Sequence, residues 1–175
     1  MIRQDISENQ ANICFLAIGS NLGNKVKNIN SAKKLLEEIS IKILVSSSLY
    51  LTPAWPNPKD PSFNNIVLKI KTKLSLRELF IKIKKIEKTL GRVNKLKNSP
   101  RTCDIDIIDF NGKNINIFVK SDNLIVPHPR MKNRNFVLFP LFEIEKNWKH
   151  PSNNQNIIDL MYNLSPKSLT TIKQI

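Results

Sequence analysis

Two aspartates interrupt an apolar stretch beyond the middle of the chain, Cys103-Asp104-Ile105-Asp106-Ile107-Ile108. Polar and apolar residues alternate here with a period of two, which is typical of a β-strand with one buried face. Residues two apart in a strand face the same side. The stretch therefore predicts a strand that projects Asp104 and Asp106 together, while Ile105 and Ile107 point the other way.

The two carboxylates are a candidate metal site. Adjacent carboxylates repel each other unless a cation lies between them. Oxygen ligands favour a hard ion, and Mg²⁺ takes one or two carboxylates and completes its shell with water and phosphate oxygens. Arg101, three residues before Asp104, is placed to bind such a phosphate. From these residues alone, a strand end with two solvated aspartates remains an open alternative.

The length of 175 residues fits one domain of ordinary size with a buried core. We expect a single domain over residues 13–175, preceded by an N-terminal extension over residues 1–12. No apolar run reaches the roughly 18 residues that a membrane span requires, and the opening segment lacks the basic-then-apolar order of a signal peptide. These features predict a cytoplasmic protein with no membrane partner.

The formal net charge of +14 favours polyanionic partners in general. Lysines are spread along the whole chain, however, and the Lys/Arg-Gly-aromatic strand of an RNA-recognition domain is absent. We therefore expect a solvated basic surface and no nucleic-acid partner. A non-catalytic basic α+β domain that binds RNA or another polyanion is the competing hypothesis.

The pattern along the chain predicts alternating strands and helices. Asn24 is a candidate N-cap for a first helix, and Ser75 with Glu78 forms a capping box for a second. A proline-rich loop is expected over residues 52–61. Asn111-Gly112 predicts a hairpin turn after the aspartate strand. We expect strands at residues 13–18, 41–51, 63–70, 103–110 and 114–118, and two further short helices at residues 133–144 and 156–164.

This βαββαβ order with an extra strand favours an α+β fold of the ferredoxin-like type. In that fold an antiparallel sheet is flanked by helices, giving α-β-α layers.

Four blocks in this order carry a resemblance to a known family. They are Phe15-Leu16-Ala17-Ile18-Gly19-Ser20-Asn21-Leu22-Gly23, Ser48-Leu49-Tyr50-Leu51-Thr52-Pro53, Gly91-Arg92 with Pro100-Arg101-Thr102-Cys103-Asp104-Ile105-Asp106-Ile107, and Val126-Pro127-His128-Pro129-Arg130-Met131-Lys132-Asn133-Arg134-Asn135-Phe136. Over residues 13–144 the chain resembles the 6-hydroxymethyl-7,8-dihydropterin pyrophosphokinases of folate biosynthesis. The resemblance implies transfer of the β,γ-diphosphoryl group of ATP to the pterin hydroxymethyl group, with AMP as the second product.

The resemblance also implies the roles of individual residues on the phosphate side. Asp104 and Asp106 match the family's ligands for two Mg²⁺ ions. Arg92 and Arg101 match catalytic arginines, and a planar guanidinium suits bidentate phosphate contacts. The matching contacts to ATP, the co-substrate, are Glu87, Arg101, Ile107, His128 and Arg134.

On the pterin side, the resemblance implies a sandwich of Phe63 and Phe136 around the flat heterocycle. The amide of Asn65 can both donate to and accept from the pterin edge. Thr52, Ala54 and Trp55 match the loop that lines the pterin pocket. ATP and the pterin are the expected partners of a monomeric enzyme. A different magnesium-dependent phosphotransferase on the same scaffold is the nearer alternative, distinguished by ADP as product.

The Gly19–Gly23 turn lacks the Gly-Lys-Ser/Thr ending of a phosphate-binding P-loop. We expect it to be structural, with Asn21 supporting the substrate loops. The family often has arginine and tryptophan where this chain has Asn94 and Asn98, which predicts weaker ATP binding or slower loop closure. Ala54-Trp55 also departs from the family pattern and predicts a pocket of different shape.

Overall fold

The computed structural model describes residues 11–92 and 99–175. In this part of the chain, the elements as far as β5 follow the order βαβββαβ, and short elements come after them. In chain order they are β1 Asn12–Ser20, α1 Lys25–Glu38, β2 Lys42–Ser46, β3 Tyr50–Thr52, β4 Phe63–Thr72, α2 Leu76–Thr89, β5 Asp104–Phe110, β6 Ile115–Val119, β7 Asp122–Val126, a 3-10 helix Met131–Asn133, α3 Asn135–Ile144, α4 Ile157–Tyr162, α5 Pro166–Thr170 and β8 Lys173–Gln174.

The main sheet has the order β5-β1-β4-β3-β8, and β2 pairs with β4 along the same edge as β3. Every pair of neighbouring strands in it is antiparallel. Strands β6 and β7 form a separate two-stranded sheet. The long strands β1 and β4 therefore form the centre of the fold, and β5 lies beside β1.

Helices cover both faces of the main sheet because the apolar residues of β1 and β4 alternate between the two sides. Leu16 and Leu68 face a core that α1 and α2 complete, whereas Phe15 and Val67 face a second core that α3 and α4 complete. These layers confirm the expected α+β, ferredoxin-like class. Among the described residues, no helix combines the length and the apolar composition needed to cross a bilayer.

The predicted helix starts are confirmed in detail. The Asn24 side chain accepts a hydrogen bond from the backbone N–H of Lys27 at 3.0 Å. Ser75 and Glu78 form both halves of a capping box at the start of α2. Gly91 follows the end of α2 with a φ of +84°, a conformation that glycine adopts without steric cost.

The predicted hairpin between β5 and residues 114–118 is wrong. Strand β6 pairs with β7 instead. The outer edge of β5 is already occupied, since the N–H of Ile105 donates to the Glu87 carboxylate at 2.8 Å and the carbonyl of Ile108 accepts from His128 N at 3.2 Å. The Asn111 side chain meanwhile accepts from the N–H of Ile13 at 2.8 Å, which ties the turn to β1.

Other boundaries differ from the prediction. The strand expected at residues 41–51 divides into β2 and β3, because Ser47 between them bonds Val67 through both its N–H and its hydroxyl. The helices expected at 133–144 and 156–164 are shorter, as α3 and α4, and β7, α5 and β8 were not predicted. A single domain over residues 13–175 stays a prediction, although β1 already begins at Asn12.

Candidate active site

The site lies at the end of the sheet where β1 finishes and where β4 and β5 begin. Gly19 lies between Asp104 on β5 and Asn65 on β4 in the strand register. Directly paired residues share a face of the sheet, so the three form one row across it. Asp106, two residues after Asp104 on β5, pairs with Ala17 on the same face. Asp104 and Asp106 therefore project together, as their spacing predicted.

Each aspartate is paired with arginine. Asp104 accepts from Arg92 at 2.6 Å and lies 2.9 Å from Nη1 of Arg101. Asp106 lies 2.8 Å from Nη1 of Arg134. The two carboxylates are 23% and 27% exposed, so both are partly buried and partly in contact with solvent. The arginines expected at the phosphates thus already lie beside the expected metal ligands.

Asp106 also lies 3.8 Å from Nε2 of His128. Burial opposes ionisation of Asp106, but His128 and Arg134 together hold the pKa of its carboxyl below the ordinary value. Nδ1 of His128 accepts from the N–H of Arg130 at 3.1 Å, which places the proton of the neutral ring on Nε2. Burial lowers the pKa of His128 and favours that neutral form.

Glu87 is more deeply buried than a carboxylate that contacts a ligand would be. Its side chain is only 3% exposed and accepts from the N–H of Ile105 at 2.8 Å and from Lys84 at 2.9 Å, and it also pairs with Arg92. Burial raises the pKa of Glu87 against the lowering effect of Lys84 and Arg92. Its visible role is to hold Arg92 beside Asp104. Lys84 was not among the predicted site residues. The only sequence signal for its contact with Glu87 is their spacing of three residues on one helix.

Three of the expected pterin residues, Thr52, Phe63 and Asn65, lie at the other end of the row. Nδ2 of Asn65 donates to Oγ1 of Thr52 at 3.0 Å and to the carbonyl of Tyr50 at 3.4 Å. A Cβ at Gly19 would lie 3.0 Å from Oδ1 of Asn65 and 3.4 Å from the ring of Phe63. The absence of a side chain at Gly19 therefore leaves room for both residues, a requirement that the sequence did not reveal.

One expected site residue does not face this region with its side chain. Ile107 is buried in the core on the opposite face of the sheet, with α1 and α2, so only its backbone is available to a nucleotide. Trp55 is 71% exposed, whereas its neighbour Ala54 is buried. Phe136 at the start of α3 lies under the guanidinium of Arg134, 5.4 Å from it. Asn94 and Asn98 lie outside the described residues.

Asn21 has the supporting role that we expected. Its Oδ1 accepts from the N–H of Arg101 at 2.7 Å, its own N–H donates to the carbonyl of Arg101, and its Nδ2 donates to the carbonyl of Pro61 at 3.1 Å. The side chain is buried. One residue thus connects the proline-rich loop to the backbone that carries a proposed catalytic arginine.

The donor set fits Mg²⁺ better than a transition metal. In the described ranges, 11–92 and 99–175, no group of three or more His, Cys, Asp or Glu side chains is arranged to hold a metal. Two adjacent carboxylates beside several cations instead match an ion that completes its shell with water and phosphate oxygens.

Three curated relatives carry related names. A 2-amino-4-hydroxy-6-hydroxymethyldihydropteridine pyrophosphokinase of Aquifex aeolicus is 40% identical over 78% of this chain and 82% of its own length. The protein of the same name from Bacillus subtilis is 40% identical over 76% of this chain and 78% of its own. The folic acid synthesis protein FOL1 of Dictyostelium discoideum is 42% identical over 81% of this chain, which spans only 21% of that longer protein.

A solved structure with the same fold is the Plasmodium falciparum HPPK-DHPS triple mutant with SDX-DHP. It has a TM-score of 0.77 and 19% identity, and it covers 97% of this chain. The chain spans about half of that protein, 48%. The family model of 7,8-dihydro-6-hydroxymethylpterin-pyrophosphokinase (HPPK) matches residues 15–146. This match covers most of the chain and all of the described site, and the chain belongs to the HPPK family.

Proposed function

We propose that this protein transfers the β,γ-diphosphoryl group of ATP to 6-hydroxymethyl-7,8-dihydropterin. The hydroxymethyl oxygen forms a bond to the β-phosphorus, the bond from that phosphorus to the α,β-bridging oxygen breaks, and AMP and a proton are released. The observation that carries the proposal is the row across the sheet, in which Gly19 separates the Asp104 carboxylate from the Asn65 amide. It supports the proposal because the carboxylate assigned to the phosphates and the amide assigned to the pterin share one face of the sheet.

Asp104 and Asp106 would hold two Mg²⁺ ions together with the phosphates. When bound, such ions neutralise the charge that develops during transfer and orient the reacting oxygens. Arg92, Arg101 and Arg134 lie within 2.9 Å of these carboxylates. Their guanidinium groups are therefore close enough to bind the triphosphate through bidentate hydrogen bonds, and His128 lies beside them.

The pterin would be recognised by stacking and by its polar edge. Phe63 and Phe136 each carry a ring near the site, and each ring lies under a guanidinium, of Arg101 at 5.7 Å and of Arg134 at 5.4 Å. Because Nδ2 of Asn65 is bonded to Thr52, its Oδ1 is the end of the amide left for a ligand. Ala54 and Trp55 on the following loop, the first buried and the second exposed, would contribute to the shape of this pocket.

Product analysis tests the proposal directly. The protein is incubated with ATP, Mg²⁺ and 6-hydroxymethyl-7,8-dihydropterin, and nucleotides are separated by chromatography. We expect pterin-dependent AMP that is lost in Asp104→Asn and Asp106→Asn and retained in Asp122→Asn, because Asp122 lies exposed on β7. ADP as product would overturn the proposal in favour of another phosphotransferase. Salt-dependent RNA binding without Mg²⁺ and without AMP formation would favour the polyanion-binding alternative.

A cytoplasmic monomer without a nucleic-acid partner stays a prediction alongside this activity.

A further inference from the structure

Glu143, near the end of α3, is the acceptor for an unusual concentration of hydrogen bonds. Both of its carboxylate oxygens lie 3.1 Å from the N–H of Ser48, and Oε1 accepts from Oγ of Ser48 at 2.7 Å. Oε2 accepts from the hydroxyl of Tyr50 at 3.0 Å. All three donor groups belong to the segment that leads into β3 and begins it. The sequence showed no sign of this contact, because Glu143 looks like an ordinary exposed helix residue.

Strand β3 needs such an anchor. It contributes three residues to the sheet, paired with β4 from Tyr50 opposite Asn65 to Thr52 opposite Phe63. Burial and the Glu143 carboxylate raise the pKa of Tyr50 to about 12, so the phenol remains a protonated donor at neutral pH.

The position of β3 decides how the Asn65 amide is oriented. Nδ2 of Asn65 donates to the Tyr50 carbonyl and to the Thr52 hydroxyl, both of which belong to β3. Its Oδ1 consequently lies against Gly19. If β3 shifted, the amide would lose the two acceptors that fix its direction, and either end could then face the pocket.

Glu143 also connects the two walls of the proposed pterin pocket. Phe136 lies in the first turn of α3, and Glu143 lies near the end of the same helix. Asn65 lies on β4, the strand that pairs with β3. On its outer edge β3 is held by β8, with Gln174 opposite Tyr50 and with Nε2 of Gln174 donating to Oγ of Ser48 at 2.9 Å. Ser48 and Tyr50 are therefore bonded from both sides.

We propose that Glu143 is a positioning residue for the pterin: by fixing Ser48 and Tyr50 against α3, it sets the direction of the Asn65 amide and its placement relative to Phe136. This inference rests on the proposed function. It assigns pterin recognition, and not nucleotide binding, to a carboxylate that touches neither substrate. Of the proposed ATP residues, Arg92, Arg101 and His128 lie outside β3 and α3, whereas Arg134 is the N-cap of α3, nine residues before Glu143.

The variant Glu143→Gln tests the proposal with little change of shape. A carboxylate only accepts, whereas an amide places an NH₂ donor against the Ser48 and Tyr50 donors. We expect the Kd of 6-hydroxymethylpterin, followed by its fluorescence, and the KM of the dihydropterin each to rise about tenfold, which corresponds to about 1.4 kcal/mol. The KM of ATP should stay within about twofold.

Glu145→Gln is the matched control. Glu145 directly follows α3 and pairs with Lys69 on β4, but not with β3. We expect it to leave pterin binding unchanged even where it lowers the melting temperature. Tyr50→Phe should raise the pterin Kd in the same direction, and the double variant with Glu143→Gln should be less than additive, because both changes break one shared bond.

The outcomes separate this inference from the proposed function. If the unmodified protein forms AMP and Glu143→Gln keeps its pterin Kd, the positioning role is overturned while the activity stands. If both KM values rise together with a lower melting temperature, Glu143 is merely structural, which also overturns the proposal. If the unmodified protein forms no AMP yet binds 6-hydroxymethylpterin in a Glu143-dependent way, the proposed reaction fails and the positioning role holds.

Discussion

Nη1 of Arg134 lies 2.8 Å from Oδ2 of Asp106, and the same guanidinium lies over the ring of Phe136 at 5.4 Å. Arg101 repeats the arrangement, since it pairs with Asp104 at 2.9 Å and lies over Phe63 at 5.7 Å. Each arginine thus links a proposed metal ligand to a proposed pterin ring. The arginines proposed to bind the phosphates therefore neutralise the aspartates proposed to bind the metal.

This pairing predicts that free metal binds weakly. Arg134→Ala removes a positive charge beside Asp106, so we expect the affinity for Mn²⁺ alone to rise about three- to tenfold, a modest gain because the pair is partly solvated. The affinity for the metal–ATP complex should fall, because a phosphate contact is lost. Titration of the electron paramagnetic resonance signal of free Mn²⁺ measures the first effect without any turnover.

Arg130→Ala provides the comparison, since Arg130 is an exposed arginine on the same turn. It should change metal affinity much less. Equal effects of the two variants would mean that general surface charge, and not the Asp106 pair, governs the site. Asp106→Asn should abolish the gain of Arg134→Ala.

The glycine at the centre of the row gives a second prediction. In Gly19→Ala the new methyl group would lie 3.0 Å from Oδ1 of Asn65 and 3.4 Å from Phe63, so the Asn65 amide must give way by a few tenths of an ångström. We expect pterin affinity to fall by at least about tenfold, with little change in Mn²⁺ affinity. Isothermal titration with 6-hydroxymethylpterin measures the change.

Gly112→Ala is the matched control for this glycine. Gly112 has a φ of +62° and open space around it, so an alanine there strains the backbone, by about 1–2 kcal/mol, without touching the pocket. It should lower thermal stability and leave pterin affinity intact. Unchanged pterin binding in Gly19→Ala would show that Asn65 and Phe63 do not form the pocket.

The arrangement of site residues within one strand could be predicted from the sequence. The contacts between residues on different strands and helices could not. Period-two alternation was enough to place Asp104 and Asp106 on one face of a strand. Their neighbours depend on strand register, which is fixed by packing across the sheet and not by nearby residues. The position of Gly19 between Asp104 and Asn65 and the contact of Glu143 with Tyr50 are of this kind.

The wrong hairpin has the same origin. Asn111-Gly112 is a genuine turn signal, but a turn does not reveal whether the edge of the preceding strand is free. Glu87 and His128 already bond the outer edge of β5, and both come from distant parts of the chain. The Glu87 carboxylate and the backbone N–H of His128 that cover this edge leave no periodic pattern in the sequence.

A third prediction concerns the pH dependence of stability. Burial lowers the pKa of His150, with a further contribution from Lys132, and Nδ1 of His150 accepts from the N–H of Ser152 at 3.2 Å. The folded protein therefore binds this proton less readily than the unfolded chain does. Stability should fall as the pH drops below about 6.5, by at most about 1.4 kcal/mol per pH unit for one proton.

His150→Asn keeps an acceptor for Ser152 and removes the titration. The variant loses the edge contact of the ring with Trp148, so it should be less stable at every pH. Its free energy of unfolding, measured by urea denaturation between pH 7.5 and 5.5, should nevertheless depend less steeply on pH. An identical slope in both proteins would exclude His150 as the source.

The last prediction separates the two tasks of Glu87. Its carboxylate accepts from the N–H of Ile105 on the edge of β5, and it compensates the charges of Lys84 and Arg92. Glu87→Gln keeps an oxygen acceptor and removes the charge, whereas Glu87→Ala removes both. Because a buried N–H without a partner costs about 1–3 kcal/mol, Glu87→Ala should be less stable than Glu87→Gln by about that amount.

Both Glu87 variants should raise the KM of ATP by a similar factor, because both free Arg92 from one of its two carboxylate partners. Urea denaturation measures the stability difference and steady-state kinetics measures the KM. The exposed Glu38 on α1 supplies a control pair, for which the Ala and Gln variants should be nearly equal in stability. If Glu87→Ala matched Glu87→Gln in stability, the bond to Ile105 would not protect the strand edge. If only Glu87→Ala changed the KM of ATP, the position of Arg92 would depend on packing and not on charge.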